Sequence, residues 1–175
     1  MDLGLAGRTG AVVGGGALAA AVADRLHDEG ADVLELGPGS GAGDMEHLGS
    51  VDVLVNVPPA APGGEEWAAR FELDVMDPLR TMRAAAPAMA ARGWGRIVNV
   101  APASGRRPTA AEPAGSVTGA AELALSRLFA DRYARSGVLV NAVCAEPGAD
   151  PAATAATVVL LCSERASYVD GAAWS

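Results

Sequence analysis

Apolar residues along this chain follow two alternating patterns: short unbroken runs rich in Val and Leu, and longer stretches where they recur every three or four positions. Residues 9–13 predict a first strand that runs into Gly14, Gly15 and Gly16. Residues 17–29, with Leu18, Val22 and Leu26 at fourfold spacing, predict a helix that Gly30 ends. Residues 31–36 form a second strand, and residues 37–43 read as a glycine-rich loop with almost no helical content. Residues 51–57 are a buried strand closed by Pro58 and Pro59. Over residues 65–92, Trp67, Phe71, Val75, Leu79 and Met82 draw one apolar helical stripe, with bends or breaks expected at Pro78 and Pro87. Strands at 96–101 and 139–144, helices at 115–136 and 152–163, and a last short strand within 166–175 complete the series. Strands alternating with helices predict a parallel sheet with helices on both faces, and without a repeat or linker residues 1–175 read as a single domain.

Composition narrows the function. Half of the 175 residues are apolar and mean hydropathy is +0.22, as in a core-forming globular chain. A net charge of −8 argues against nucleic-acid binding, which needs a basic face. No apolar run approaches membrane-spanning length and no leader-like pattern opens the chain, so no membrane partner and a cytoplasmic location are expected. Cys144 and Cys162 are too few for a disulfide framework or a zinc site and read as buried and reduced. Asp44, Glu46 and His47 make too thin a cluster for a metal, His27 sits among acids on a helix surface, and no metal is expected.

Several segments in order carry a resemblance: Val51-Asp-Val-Leu-Val-Asn56, Trp67 before the long helix, Gly95-Arg-Ile-Val-Asn-Val100, Val140-Asn-Ala-Val143 with Pro147-Gly148, and Leu160-Leu-Cys-Ser163 with Tyr168-Val-Asp-Gly171. They are similar to the short-chain dehydrogenase/reductases. That resemblance implies a Rossmann-like, doubly wound α/β fold in three layers, α/β/α. It also implies an NAD(P) cofactor and a catalytic set of Asn, Ser, Tyr and Lys.

The chain departs from that set at each position. The family's Tyr and Lys, four residues apart on one helical face, align with Gly115 and Gly119; the Ser aligns with Pro102 and the Asn with Asp74. All 13 basic residues are arginine, so no shift of alignment supplies a lysine. An Asp at position 74 is expected to face water, although it is also the candidate general base. The glycine turn fits the dinucleotide pattern only with a one-residue gap, as Gly14-x-Gly16-x-x-Ala19, with Asn56 as a further cofactor-binding candidate. Gly37 stands where a ribose-binding acid belongs, and Val57-Pro58-Pro59 replaces a loop whose glycine lets the backbone approach a ligand. Between Gly37 and Val51 there is too little chain for a strand–helix–strand crossover, and Asp150-Pro151 leads almost directly into the closing helix. The fold is therefore expected to be reduced, lacking an edge strand and the substrate lid.

These readings predict a pseudoenzyme: a non-catalytic subunit or scaffold with no required cofactor. It would assemble through its two long helices with itself or with an active paralogue. Two alternatives stand beside it. One is a non-redox enzyme of lyase or cyclase type using a remnant cleft around Asp74, Ser104, Thr109 and Glu112. The other is a residual NAD(P)-dependent oxidoreductase. Tyr133 reads as core, Cys144 lacks a base to activate it, and Arg106 and Arg107 form a small basic spot.

Overall fold

Strands of unbroken Val and Leu need apolar cover on both faces, and helices between successive strands supply it. The computed structural model describes residues 2–40, 42–59 and 67–175, with the side chains of 42–44 left out. Its strands are β1 (Thr9–Gly14), β2 (Asp32–Leu36), β3 (Val53–Val57), β4 (Gly95–Pro102), β5 (Val138–Ala145) and β6 (Ala173–Trp174). All pair in parallel in the order β2-β1-β3-β4-β5-β6, the doubly wound arrangement expected. The helices are α1 (Gly16–Asp28), α2 (Ala42–His47), α3 (Trp67–Phe71), α4 (Asp77–Arg92), α5 (Pro113–Tyr133) and α6 (Pro151–Cys162).

The alternation of side chains along each strand divides the core in two. Val12, Val53, Val55 and Val98 face α1 and α6, where Val22, Leu26, Val158 and Val159 meet them. Ala11, Leu54, Ile97 and Val140 face α4 and α5, against Met82, Ala86, Met89 and Ala130. At the opposite end of the sheet from the strands' C-terminal edge, Arg8 and Arg96 stack on the Trp94 ring at 3.8 and 4.4 Å. Glu164 accepts from Trp94 Nε1 at 2.9 Å and Arg8 Nη2 at 3.2 Å, tying the segment after α6 to that end.

Four expectations need correction. The segment from 37 to 52 is not an unstructured bridge: α2 and a turn at Leu48–Ser50 let it pass over β1 and deliver β3 in parallel beside it. That crossover works with a six-residue helix because Leu48 plugs the core beneath it. Second, α4 runs through Pro87 without a break, while Pro78 sits in its first turn, where a missing N–H disrupts no helical bond. The irregularity lies earlier, in a wider π-helical turn at Glu72–Met76 that joins α3 to α4. Third, the apolar stripe of this helix is split: Met82 and Val75 are buried, whereas Trp67 and Phe71 point outward. The expected helix start at residues 65 and 66 lies outside the described residues. Fourth, Asp74 is fully buried instead of facing water.

Gly14 ends β1 with φ at 144° and lies flat against β3; a Cβ there would stand 1.8 Å from the Val57 carbonyl oxygen. Gly14→Ala is therefore expected to lose more than about 3 kcal/mol, enough to shift a denaturant midpoint by a large fraction of the total. Chemical denaturation followed by circular dichroism checks this; an unchanged midpoint would contradict the packing of β1 on β3.

Candidate functional site

In a doubly wound sheet, ligands bind beyond the carboxyl ends of the strands, where the strand order reverses; here that is between β1 and β3. Five elements converge above this edge: the Gly14–Gly16 turn, the loop after β2, Pro58-Pro59, the turn at Ala103–Gly105 after β4, and the start of α5.

The crevice at the switch point is narrow between its described walls, and a cavity of about 540 Å³ that shares Leu73 and Asp77 with it opens beside the loop after β2. Only about 10 Å³ of free space remains between Gly14, Pro38, Asn56, Val57 and Pro58, room for about one water molecule. Gly39 N donates to Asp77 Oδ2 at 2.8 Å, which draws the loop after β2 down and brings Pro38 over the helix N-terminus. Asn56 is engaged below: its Nδ2 donates to Asn99 Oδ1 at 2.7 Å, and its Oδ1 accepts from Thr81 at 2.8 Å. Ala19 is buried in the core on the α1 side. Gly16 alone among these cofactor candidates has open space around it, with a positive φ of 82°. The cofactor candidates thus do not gather around one open seat, Gly14 and Asn56 being engaged in packing and Ala19 buried.

Pro102, Gly115 and Gly119 do come together, in the arrangement their alignment implies. A Cβ on Gly115 would lie 3.9 Å from Pro102 Cβ, 3.3 Å from Ser104 Oγ and 3.8 Å from Glu112 Oε2. One helical turn on, α5 touches the turn after β4 backbone to backbone. A Cβ on Gly119 would stand 3.0 Å from Pro102 O and from Gly105 Cα, and one on Gly105 only 2.4 Å from the Gly119 carbonyl carbon. A side chain at 119 would require that turn to give by a few tenths of an ångström.

Beneath this contact lies a pair of buried acids. Asp74 Oδ2 accepts from Arg70 Nε at 2.5 Å and from Thr118 Oγ1 at 2.6 Å, while its Oδ1 has no partner among the described residues. Glu122 is fully buried and neither of its carboxylate oxygens has a partner among the described residues. Burial raises the Asp74 carboxyl above its ordinary value, against the opposing pull of Thr118 and Arg70. Burial, reinforced by the neighbouring Asp74 charge, holds Glu122 well above 4.5 and so favours its protonated form. Sequence reasoning singled out Asp74 but missed Glu122. The signal was there: Gly115, Thr118, Glu122 and Ser126 fall at helical spacing on one face of α5. Ser126 donates to Glu122 O at 2.9 Å and accepts from Asn99 Nδ2 at 2.8 Å, so this face joins the Asn56–Thr81 group in one buried polar line.

The remaining candidates surround a separate cleft of about 380 Å³ lined by Ser104, Arg107, Thr109, Glu112 and Glu146. Cys144 is buried and free, and burial raises its thiol further, away from thiolate chemistry. Tyr133 packs on Phe129 in the α5 layer with ring centroids 6.0 Å apart. Asp44 lies outside the described side chains, and among the described residues no group of three metal-ligating side chains occurs. No described helix is long and apolar enough to cross a membrane.

The acid pair sets a pH dependence. With its folded-state value raised, Glu122 contributes stability that is full below about pH 4.5 and is lost as pH rises toward and through the folded-state value. Glu122→Leu is thus expected to add about 1–3 kcal/mol, roughly 3–8 °C in Tm, at pH 8, with the gain shrinking at pH 4. Thermal melts of both proteins across that range check it; a variant destabilised equally at both ends would overturn it.

Comparison with known proteins places this architecture. The family model described as short chain dehydrogenase matches residues 42–157. The uncharacterized oxidoreductase YvrD of Bacillus subtilis is 34% identical over 110 residues, covering 59% of this chain and 42% of that protein. A D-beta-hydroxybutyrate dehydrogenase of Rhizobium meliloti is 36% identical over 83 residues, covering 46% of this chain and 31% of that protein. The chain thus spans less than half the length of these curated relatives. A crystal structure of a short chain dehydrogenase from Mycobacterium smegmatis superposes with a TM-score of 0.84 at 26% identity, covering 100% of this chain and 93% of that one. L-sorbose reductase from Gluconobacter frateurii, solved with NADPH and L-sorbose, shares the fold with a TM-score of 0.82 at 22% identity, over 99% of this chain and 96% of that one. Matched over most of its length by the family model and carrying that fold, the chain belongs to the short-chain dehydrogenase family.

Proposed function

We propose that this protein is a member of the family without the family's redox chemistry, a subunit that assembles through α3 and α5 with a second copy of itself or with a catalytic relative. One observation carries the assembly part. Trp67 and Phe71 on α3, and Val117 and Leu128 on α5, are 44, 41, 50 and 65% exposed, an unusual outlay of large apolar side chains on two helices that touch. Alanines 120, 121 and 124 between them keep the α5 surface low enough for another helix to approach.

The loss of chemistry is supported by Gly115, Gly119 and Pro102, which offer no side chain to donate or accept a proton. On this reading the protein requires no nicotinamide cofactor. The names of its relatives, all oxidoreductases where a reaction is named, support a redox ancestry and keep a residual oxidoreductase as the competing reading. For a lyase-type enzyme Asp74 is a poor acid or base, being sealed from solvent by Arg70 and Thr118; only Glu112 borders open space.

Light scattering coupled to size exclusion tests the assembly. The protein is expected to run as a dimer or larger, or to retain a dehydrogenase stoichiometrically in pull-downs from its own cells. Leu128→Glu should weaken the association at least about tenfold while the variant stays folded, because Leu128 is 65% exposed within the chain. A wild-type monomer that retains no dehydrogenase overturns the proposal. Independently, Gly115→Tyr combined with Gly119→Lys is expected to gain no NAD(P)H-consuming activity on carbonyl substrates, because Pro102 still offers no hydroxyl to the substrate and the close approach of Gly105 to Gly119 crowds the lysine. Measurable turnover by that double variant would show that the site is merely mutated and not closed.

A further inference from the structure

Helix α3 is lightly fastened for an element that carries two large apolar side chains. None of its five residues is buried, and Trp67 and Phe71 stand on its outer side. A helix of that length does not hold itself in water, so α3 depends on what it rests against. Among the described residues its one side-chain hydrogen bond is from Arg70 Nε to Asp74 Oδ2, in the π-helical turn at Glu72–Met76, and Asp74 in turn accepts from Thr118 on α5. Beneath that tie lies Glu122, fully buried, with no partner for either carboxylate oxygen among the described residues; Asp74 Oδ1 lacks one as well.

We propose that α3 and the π-helical turn form a pH-operated joint, closed on α5 while Glu122 holds its proton and swung off it when that proton passes to solvent. The charges around the seam decide the direction. Glu122 faces Asp74 from the π-helical turn and Arg70 from α3, and Cys144 on β5 is the third titratable group near it. Toward β4 and α4 the buried polar line continues through Ser126, Asn99, Met82 and Thr81, none of them charged. One guanidinium thus stands against two carboxylates and already serves Asp74, so a second negative charge in the seam has neither a cation nor a donor of its own. Water supplies what it lacks, and α3 with its turn is the covering element that lifts most easily: Val75 is the single buried apolar residue the two take out of the core. Once exposed, Glu122 titrates as an ordinary carboxyl, whereas burial and the Asp74 charge hold it well above 4.5 in the closed form. The closed joint is therefore at full strength below about pH 4.5 and loosens as pH climbs toward the closed-form value. One consequence rests on the assembly reading: the swing removes Trp67 and Phe71 from the apolar face they share with Val117 and Leu128, so association weakens as pH rises.

Residue-resolved amide hydrogen exchange tests the joint in the wild-type protein and in Leu128→Glu, which separates opening from dissociation. Protection factors over residues 71–77 are expected to fall by up to about tenfold per pH unit between about pH 5 and 8, one proton being released per opening. Those of β4 and β5 should stay at least about tenfold higher throughout, because the strands exchange only when the whole fold opens. Glu122→Gln should flatten the pH dependence, and Glu122→Leu, which removes the acid without adding a polar group, should do the same. Protection over 71–77 that is indifferent to pH, that equals the strands', or that keeps its pH dependence in both Glu122 variants would overturn the proposal. A monomeric wild type whose 71–77 amides still follow this course would sink the assembly reading and leave the joint standing.

Discussion

Helix α5 lies backbone against backbone on the turn that follows β4, and the contact excludes a side chain at Gly105 and crowds one at Gly119: a Cβ at Gly105 would sit 2.4 Å from the Gly119 carbonyl carbon, and one at Gly119 3.0 Å from Gly105 Cα. Much above the sheet follows from this approach. It sets how far Gly115 stands from Pro102 and Ser104. It also presses the polar face of α5 toward the helix that carries Asp74, so that Thr118 reaches Asp74 across 44 residues of sequence. In the family, a lysine and a tyrosine project from these two positions of the helix. Here glycines stand at the two positions that align with them, and on the proposed reading the family's chemistry goes with those side chains.

The same settling has an energetic consequence. Glu122 and Asp74 are brought into a closed seam with one arginine between them, and three of their four carboxylate oxygens have no partner among the described residues. Buried charge without compensation is among the most destabilising features a fold can carry, so the pair keeps a proton instead. A chain selected only for stability would place a leucine at 122. The line from Arg70 through Asp74, Thr118 and Ser126 to Asn99, Asn56 and Thr81 holds α3, α5 and the two central strands in one register, a specificity that an apolar seam does not supply.

Much of the architecture was legible because its signals are local. Runs such as residues 51–57 and 138–145 are buried on both faces and say so in their composition, and Gly30 and Gly93 mark helix ends in their own conformation. What was not legible depended on distant packing. An apolar stripe shows which residues share a helical face but not what covers it, so Trp67 and Phe71, in line with Met82, turned out to face outward. Asp74 looked solvent-facing because nothing near it in sequence announces Thr118 or Glu122. The helix at Ala42–His47 is hidden by the glycines before it, since its length is set by the span it must cross and not by propensity. At the site, the identities at 102, 115 and 119 carried an expectation about side chains, but gave no sign that Pro38 and Pro58 line the crevice.

The central proposal is that this member of the family works without a dinucleotide cofactor. Isothermal titration with NADH and NADPH, using the intact protein at low ionic strength, addresses it most directly. The account predicts no saturable binding of either up to about 1 mM, since Pro38, Pro58 and the Gly105–Gly119 contact would all have to give way. A stoichiometric isotherm with a Kd of about 10 μM or tighter would contradict it, and would mean that these loops open at a cost the ligand readily offsets.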